Sequence, residues 1–453
     1  MVRATSVQKR FILFAKNPSA CKNIEHSGEG TNFVTPSIYI RHTIALSFQE
    51  FLRSLVNLIP MKKTTHRTPT RSDRSIVQLV AHCACILAIV LITSRGVLEA
   101  ADDQKQSELE ASYFSPPIQV TQGLTKAGEG YFSPDSTRIC YQGVPQGYPF
   151  YQIFTQPFDM QSPQPTSAQR ISPGRGRTTC SFFSPDNQKL LFASSHLDPN
   201  MQQTEDAAIK QAKEDAQSGR RRRYQWDFDP YSDIFAFDFD SKSLTRLTNA
   251  PGYDAECSFS ADGKTIVFVS DRDGDPDIFL MNADGSGVRQ LTNVPGYDGG
   301  PFFSPNGKWI TFRSDRIEKD MLHIHVMRSD GEGDQALTDG KSVQWAPFWH
   351  PTKPWMIWTG ADHSDPEKRP NYDLYLMRYS VDGDNFIPGP TIRMTDHPGA
   401  DVLPVFAPDG NHLMWTASRS SDRVSQLWFS TINLDALELS LNRAAALSLP
   451  QQQ

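Results

Sequence analysis

An aromatic residue followed by Ser-Pro-Asp or a close variant occurs six times in this chain. The copies are Phe132-Ser133-Pro134-Asp135, Phe183-Ser184-Pro185-Asp186, Phe259-Ser260-Ala261-Asp262, Phe303-Ser304-Pro305-Asn306, Phe348-Trp349-His350-Pro351 and Phe406-Ala407-Pro408-Asp409. They stand 51, 76, 44, 45 and 58 residues apart. A period of roughly 40 to 50 residues belongs to arrays of one supersecondary unit, which bury a continuous core only by standing beside their neighbours.

Each unit reads as four short strands. Nine residues after the anchor a second aromatic recurs, at Tyr141, Phe192, Phe268, Phe312 and Trp415, and it ends alternating runs such as Lys264 to Phe268. Alternation of period two marks a half-buried strand, and the Asp-Gly, Asn-Gly or Asp-Asn between anchor and run makes a hairpin. A third strand begins with Asp233-Ile234-Phe235, Asp277-Ile278-Phe279 or Asp373-Leu374-Tyr375 and turns at Asp284-Gly285 or Asp330-Gly331. The fourth closes on an apolar residue and a hydroxyl: Ile171-Ser172, Leu247-Thr248, Leu291-Thr292, Leu337-Thr338 and Met394-Thr395. The 32 Pro and 28 Gly fit a chain made of turns.

The last repeat lacks a fourth strand, while Ile118 to Thr125 (IQVTQGLT) carries the same Leu-Thr ending ahead of the first anchor. Pairing the two ends closes the ring and removes two exposed edges. The expectation is an all-β, six-bladed β-propeller with four-stranded antiparallel blades, closed by an N-terminal strand and spanning residues 118–434.

Those hairpins, together with Ser270-Asp271-Arg272 and Asp284-Gly285 before Leu291-Thr292, resemble the propeller repeats of TolB over residues 118–434. The resemblance implies partner binding at the mouth of the central channel. TolB also carries an α/β domain before its propeller; here only Arg95 to Pro117 separates the apolar run from the first strand, so contacts of that domain are not carried over.

Ser75 to Ser94 holds no Asp, Glu, Lys or Arg and matches the roughly 20 apolar residues that span a bilayer. Met61 opens a basic stretch before it, so residues 61–100 read as a signal peptide or signal anchor and residues 1–60 as a non-native upstream extension. Cleavage would follow Gly96 or Ala100. The reading places the protein in the periplasm or outside the cell, with anchorage through 75–94 as the variant. Of 45 Lys/Arg and 51 Asp/Glu, 13 and 5 fall within residues 1–100, so the remainder carries 32 against 46 and a formal charge of −14. That balance argues against a nucleic-acid partner. Cys140, Cys180 and Cys257 have no paired spacing and read as buried free thiols.

The second repeat holds an insert, residues 197–230, with a polar helix over Met201 to Ala216, a stop at Gly219 and the run Arg220 to Arg223. Residues 101–117 read as a linker and 435–453 as a tail.

For binding, Asp254, Asp298 and Asp401 stand five residues before their anchors, at the entry to the innermost strand. Equivalent positions face one another around a ring, so these carboxylates, with Glu129 and Glu256, are expected to gather negative potential at one channel mouth, or else to cap local turns. Thirteen residues after the anchor, Arg272, Arg316 and Arg419 recur, with His196 in a fourth repeat, and are expected to tie neighbouring blades together through carboxylates. Asp271, Asp273, Asp275 and Asp277 around Gly274 imitate the first half of a calcium loop but lack its closing Glu, so Ca²⁺ is the one cofactor considered. His323 and His325 share a strand face as metal ligands do, yet they align with structural positions of other repeats.

Two functions from different classes follow. The first is a non-catalytic scaffold that recognises an envelope protein, peptide or glycan at the channel mouth. The second is a metal-dependent polysaccharide lyase or hydrolase using His323, His325 and the Asp ring. A propeller-gated serine peptidase is disfavoured, because the chain shows no Gly-x-Ser-x-Gly elbow.

Overall fold

The computed structural model describes residues 106–219, 228–365 and 367–448. Residues 1–105, with the expected signal peptide or anchor and the expected start at Met61, lie outside the described residues, as does the Arg220 to Arg223 run.

Six four-stranded antiparallel sheets follow one another along the chain. Blades 1 to 5 begin at Lys126, Thr178, Asp254, Asp298 and Ser342. Blade 6 takes three strands from Asp401–Phe406, His412–Ala417 and Gln426–Thr431 and its fourth, Ile118–Gln119, from the other end of the chain. The closing strand pairs Ile118 with Phe429 and Gln119 with Trp428. Val120, fully buried, extends the seam by donating its N–H to the Leu427 carbonyl at 2.9 Å.

The recurrent motifs each satisfy backbone groups that would otherwise be buried without partners. In the first four repeats the anchor Ser accepts the N–H five residues on, as Ser260 does from Thr265 at 3.0 Å, and donates to the Asp or Asn of the same turn. In blade 5 His350 stands in for that Ser, accepting from Thr352 and Lys353. The hydroxyl after the fourth strand accepts the N–H of the third-strand residue in all six blades: Ser172 from Ile153, Thr248 from Ile234, Thr292 from Ile278, Thr338 from Ile324, Thr395 from Leu374 and Thr121 from Leu427.

Blade 5 departs by one residue from the expected register. Trp349 opposes Met356 as Phe303 opposes Ile310, so Trp349 is the anchor and Phe348 precedes it. The second aromatic of that blade is then Trp358, which stacks on Tyr375.

Among the described residues there are three helices outside the sheets. Helix α1 (Glu108–Tyr113), capped by Ser107, lies in the stretch expected to be a linker. Helix α2 (Met201–Ser218) is the helix of the insert and stops at Gly219 in the left-handed conformation. Helix α3 (Leu434–Ser448) occupies most of the supposed tail, and Leu437 and Leu441 are fully buried in one cluster with Tyr113, Phe114 and Trp355. The three cysteines are buried free thiols.

Candidate functional site

The innermost strand of every blade carries a β-bulge. At its centre stand Glu129, Cys180, Glu256, Gly300, Ala346 and Leu403, all with φ between 49° and 58°. Left-handed backbone at a residue other than glycine costs about 1–2 kcal/mol, and bulges re-aim a side chain. Here the residues meet across the ring: Glu129 of blade 1 interacts with Cys180 of blade 2, Glu256 of blade 3 and Arg313 of blade 4.

Glu256 is almost fully buried and saturated. It accepts from Arg313 Nη2 at 2.8 Å, from the Tyr297 hydroxyl at 2.8 Å and from the Gly300 N–H at 2.7 Å. A Cβ at Gly300 would stand 2.8 Å from the Arg313 guanidinium and would displace it. Arg313 also donates Nε to Tyr297 at 3.0 Å and lies over the Trp345 ring at 5.9 Å. Among the described residues Glu129 forms no ion pair of its own, and its side-chain hydrogen-bond partners are Cys180 and Tyr131. Burial pushes its carboxyl up to about 7; Cys180 and then Arg313 oppose that shift, and Glu256 adds to it.

The pH dependence follows from that value. The folded chain binds the Glu129 proton more tightly than the unfolded chain, whose carboxyl titrates near 4.5. Relative to Glu129→Gln, the native protein therefore loses stability as pH rises from about 4.5 to 7, by about 3 kcal/mol in all, and no further above that. Urea unfolding of both proteins across that range measures it, and parallel curves would refute it. The comparison is differential because burial also raises Asp277 and Asp373 to about 7.

The three aspartates expected at the mouth do not supply an open negative ring. Asp254, Asp298 and Asp401 are 1%, 0% and 0% exposed. Arg272 meets Asp254 at 3.0 and 3.1 Å, Arg316 meets Asp298 through Nε at 3.2 Å and through Nη2, and Arg419 meets Asp401 at 2.7 and 2.5 Å. Each guanidinium lies over the second aromatic of its blade: Phe268, Phe312 or Trp415. This corrects the inter-blade role expected of Arg272, Arg316 and Arg419. The hairpin between first and second strands places the two charges side by side, so each pair closes within its own blade. Arg419 reaches further, to Glu110 of α1 at 2.8 and 2.9 Å.

The calcium-like loop disperses its carboxylates. Asp271 accepts the Tyr253 N–H at 2.6 Å, Asp275 the Gly296 N–H at 2.9 Å, Asp277 the Thr292 hydroxyl at 2.9 Å, and Asp273 bonds Gln290. His323 and His325 are buried; His325 Nδ1 meets Asp334 at 3.0 Å, while His323 Nδ1 and His325 Nε2 lack hydrogen-bond partners. No group of three or more His, Cys, Asp or Glu among the described residues could hold a metal.

One residue before each anchor stand Tyr131, Phe182, Ser258, Phe302, Phe348 and Val405, a position without a motif in the sequence. The four aromatics form a closed cycle across the axis, with centroids 5.2 Å apart for Tyr131–Phe182, 5.8 Å for Phe182–Phe302, 5.3 Å for Phe302–Phe348 and 6.1 Å for Phe348–Tyr131. The channel is therefore closed at the Ser-Pro-Asp end, with the glutamates on its inner side.

Residues 224–368 match the family model of the TolB beta propeller domain. Similar solved structures include a putative TolB from Agrobacterium tumefaciens (18% identity, 68% of this chain and 90% of that chain, TM-score 0.42) and TolB from Acinetobacter baumannii (14%, 69% and 65%, 0.41). Another is an oligogalacturonate lyase from Vibrio parahaemolyticus (13%, 69% and 79%, 0.44). No curated protein matches the chain. The chain carries a six-bladed β-propeller. That propeller is TolB-like, by its repeats and by the matched domain, while identities of this size transfer neither ligand nor reaction.

Proposed function

We propose that this protein is an exported binding scaffold, without catalytic activity, whose channel receives a cationic group of an envelope protein, peptide or glycan. The observation that carries this reading is the inner cluster. Among the described residues Arg313 is ion-paired to Glu256 and only partly offsets the charge of Glu129, and Glu256 already takes the Arg313 hydrogen bond. A ligand amine or guanidinium beside Glu129 would supply the missing charge in a low-dielectric site, where pairing is strong. Tyr297 and Trp345 add aromatic surface beside Arg313. Because the aromatic cycle closes the Ser-Pro-Asp end, a ligand in this reading would reach Glu129 from the end where the innermost strands begin.

TolB-like propellers are periplasmic, and this reading places the protein in the periplasm or secreted, with 75–94 as signal or anchor. Among the described residues no helix is long and apolar enough to cross a membrane. The lyase alternative has no support from the placement of His323 and His325, which sit at structural positions of one strand.

The test is capture from envelope extract by the full chain, run beside Glu129→Gln, with bound protein and glycan identified. The expected result is a partner retained by the native chain and reduced at least tenfold by the variant. Equal capture by both would move the site away from the channel.

A further inference from the structure

Outside the aromatic closure, at the Ser-Pro-Asp end, lies a cavity of about 300 Å³ to which all six blades contribute. Its floor is the mouth-facing surface of Phe182, Phe302 and Phe348, which are only half-buried, beside Tyr131. Its wall is a ring of Pro134, Pro185, Ala261, Pro305, Pro351 and Pro408. We infer that this cup is a second binding site, separate from the polar socket, and that it takes one uncharged aromatic side chain presented by a peptide.

Size, polarity and charge argue for that occupant. The volume stands at the lower end of ligand pockets, roughly 300–1,000 Å³, and suits one large side chain better than a folded segment. The wall hydroxyls are already committed: Ser260 to Asp262, Ser304 to Asn306 and Ser258 to the Pro301 carbonyl. A polar occupant would lose its water and gain no partner. The hairpin carboxylates nearest the rim are likewise held at home, Asp135 by Ser133 and Thr137, Asp186 by Ser184 and Gln188, Asp262 by Lys264 as well. Arg138 is laid over Phe239 at 4.1 Å. Among the described residues no charged side chain lines the cup, so its surface is complementary to a neutral group. The floor rings are tilted or edge-on to one another and so present both faces and edges, the arrangement an added aromatic ring prefers.

Blade 3 breaks the pattern at both levels, with Ser258 in the floor and Ala261 in place of the wall proline. That gap offers two blocking variants on different atoms. Ser258→Phe puts a ring where four other blades carry one, and Ala261→Trp, at an exposed position, lays an indole across the mouth. The probe is N-acetyl-tryptophanamide, titrated into the full chain by saturation-transfer NMR, beside N-acetyl-leucinamide and N-acetyl-argininamide.

The expected result is saturable binding of the tryptophan probe, at least fivefold tighter than the leucine probe. It should weaken at least tenfold in either blocking variant. If Ser258→Phe fails to fold, Ala261→Trp carries the test. Absence of saturable binding, tighter binding of the arginine probe, or full binding in a folded blocking variant would overturn the inference. Loss in Glu129→Gln alone would overturn it too, by assigning the probe to the polar socket.

Discussion

Replacing Arg419 by methionine is expected to cost about 3–5 kcal/mol of folding stability, the penalty for removing one partner of a buried charge network. Arg419 is 9% exposed and holds two carboxylates at once, Asp401 at 0% and Glu110 at 1%. Methionine fills much of the same volume but leaves both carboxylates in a dry environment. Residual donors soften the loss, since Trp415 Nε1 still bonds Asp401 at 3.0 Å and the Asp396 and His397 N–H groups still bond Glu110. The deficit should shrink as pH falls, because protonation relieves carboxylates that lack a counter-charge. The triple change Arg419→Met, Asp401→Asn, Glu110→Gln should recover part of it. Urea midpoints for the native protein, the single variant and the triple variant measure this, and a loss below 1 kcal/mol in the single variant would show the triad behaving as a surface pair.

The second large effect is expected at the seam of the ring. Val120→Asp places a carboxylate at a fully buried position between blades 1 and 6, in one cluster with Tyr131, Met414, Leu427 and Phe429. The change removes about 1.5–3 kcal/mol of apolar burial and adds several more for a desolvated group without a partner, so a loss beyond 4 kcal/mol is expected. The closing strand contributes a short ladder, Ile118 and Gln119, with the Ser115 and Val120 N–H groups and the Thr121 hydroxyl bonding blade 6 on either side of it. It should detach before the blades unfold. Limited proteolysis should then cut the variant between Ile118 and Thr125 while the native chain resists, and equal resistance would show that the seam is held elsewhere.

Glu129→Gln links the two halves of the functional reading. It should flatten the stability profile between pH 4.5 and 7 and also reduce capture of a cationic partner at least tenfold. Success of the first with failure of the second would keep the electrostatics and discard the ligand.

The six blades, the four strands in each, the closing strand and the helix ending at Gly219 were legible because their signals are local. A hairpin anchor such as Ser260-Asp262 bonds the backbone within five residues, and Thr292 bonds Ile278 fourteen residues away, so every repeat shows its own chemistry in order. The aspartate to arginine interval is eighteen residues in all three pairs, 254 to 272, 298 to 316 and 401 to 419, a signal present in the letters whose meaning depends on which way the hairpin folds. In blade 5 Trp358, nine residues after Trp349, marked the true register. The spacing of Leu434, Leu437 and Leu441 likewise marked the C-terminal helix.

The sequence pointed to Glu129 and Glu256 at the channel, but not to what they meet there. Period-two alternation assigns each strand residue to one of two faces, and the bulge breaks that rule by turning Glu129 and Glu256 toward the axis through left-handed backbone. Their common partner Arg313 comes from a third blade, 57 residues beyond Glu256. The aromatic closure joins Tyr131 to Phe348 across the whole ring. Local hydrogen bonding and burial patterns therefore dictated a closed propeller from the letters alone, whereas the charge left over in the socket and the apolar cup behind it arise only when residues remote in the chain are brought to one axis.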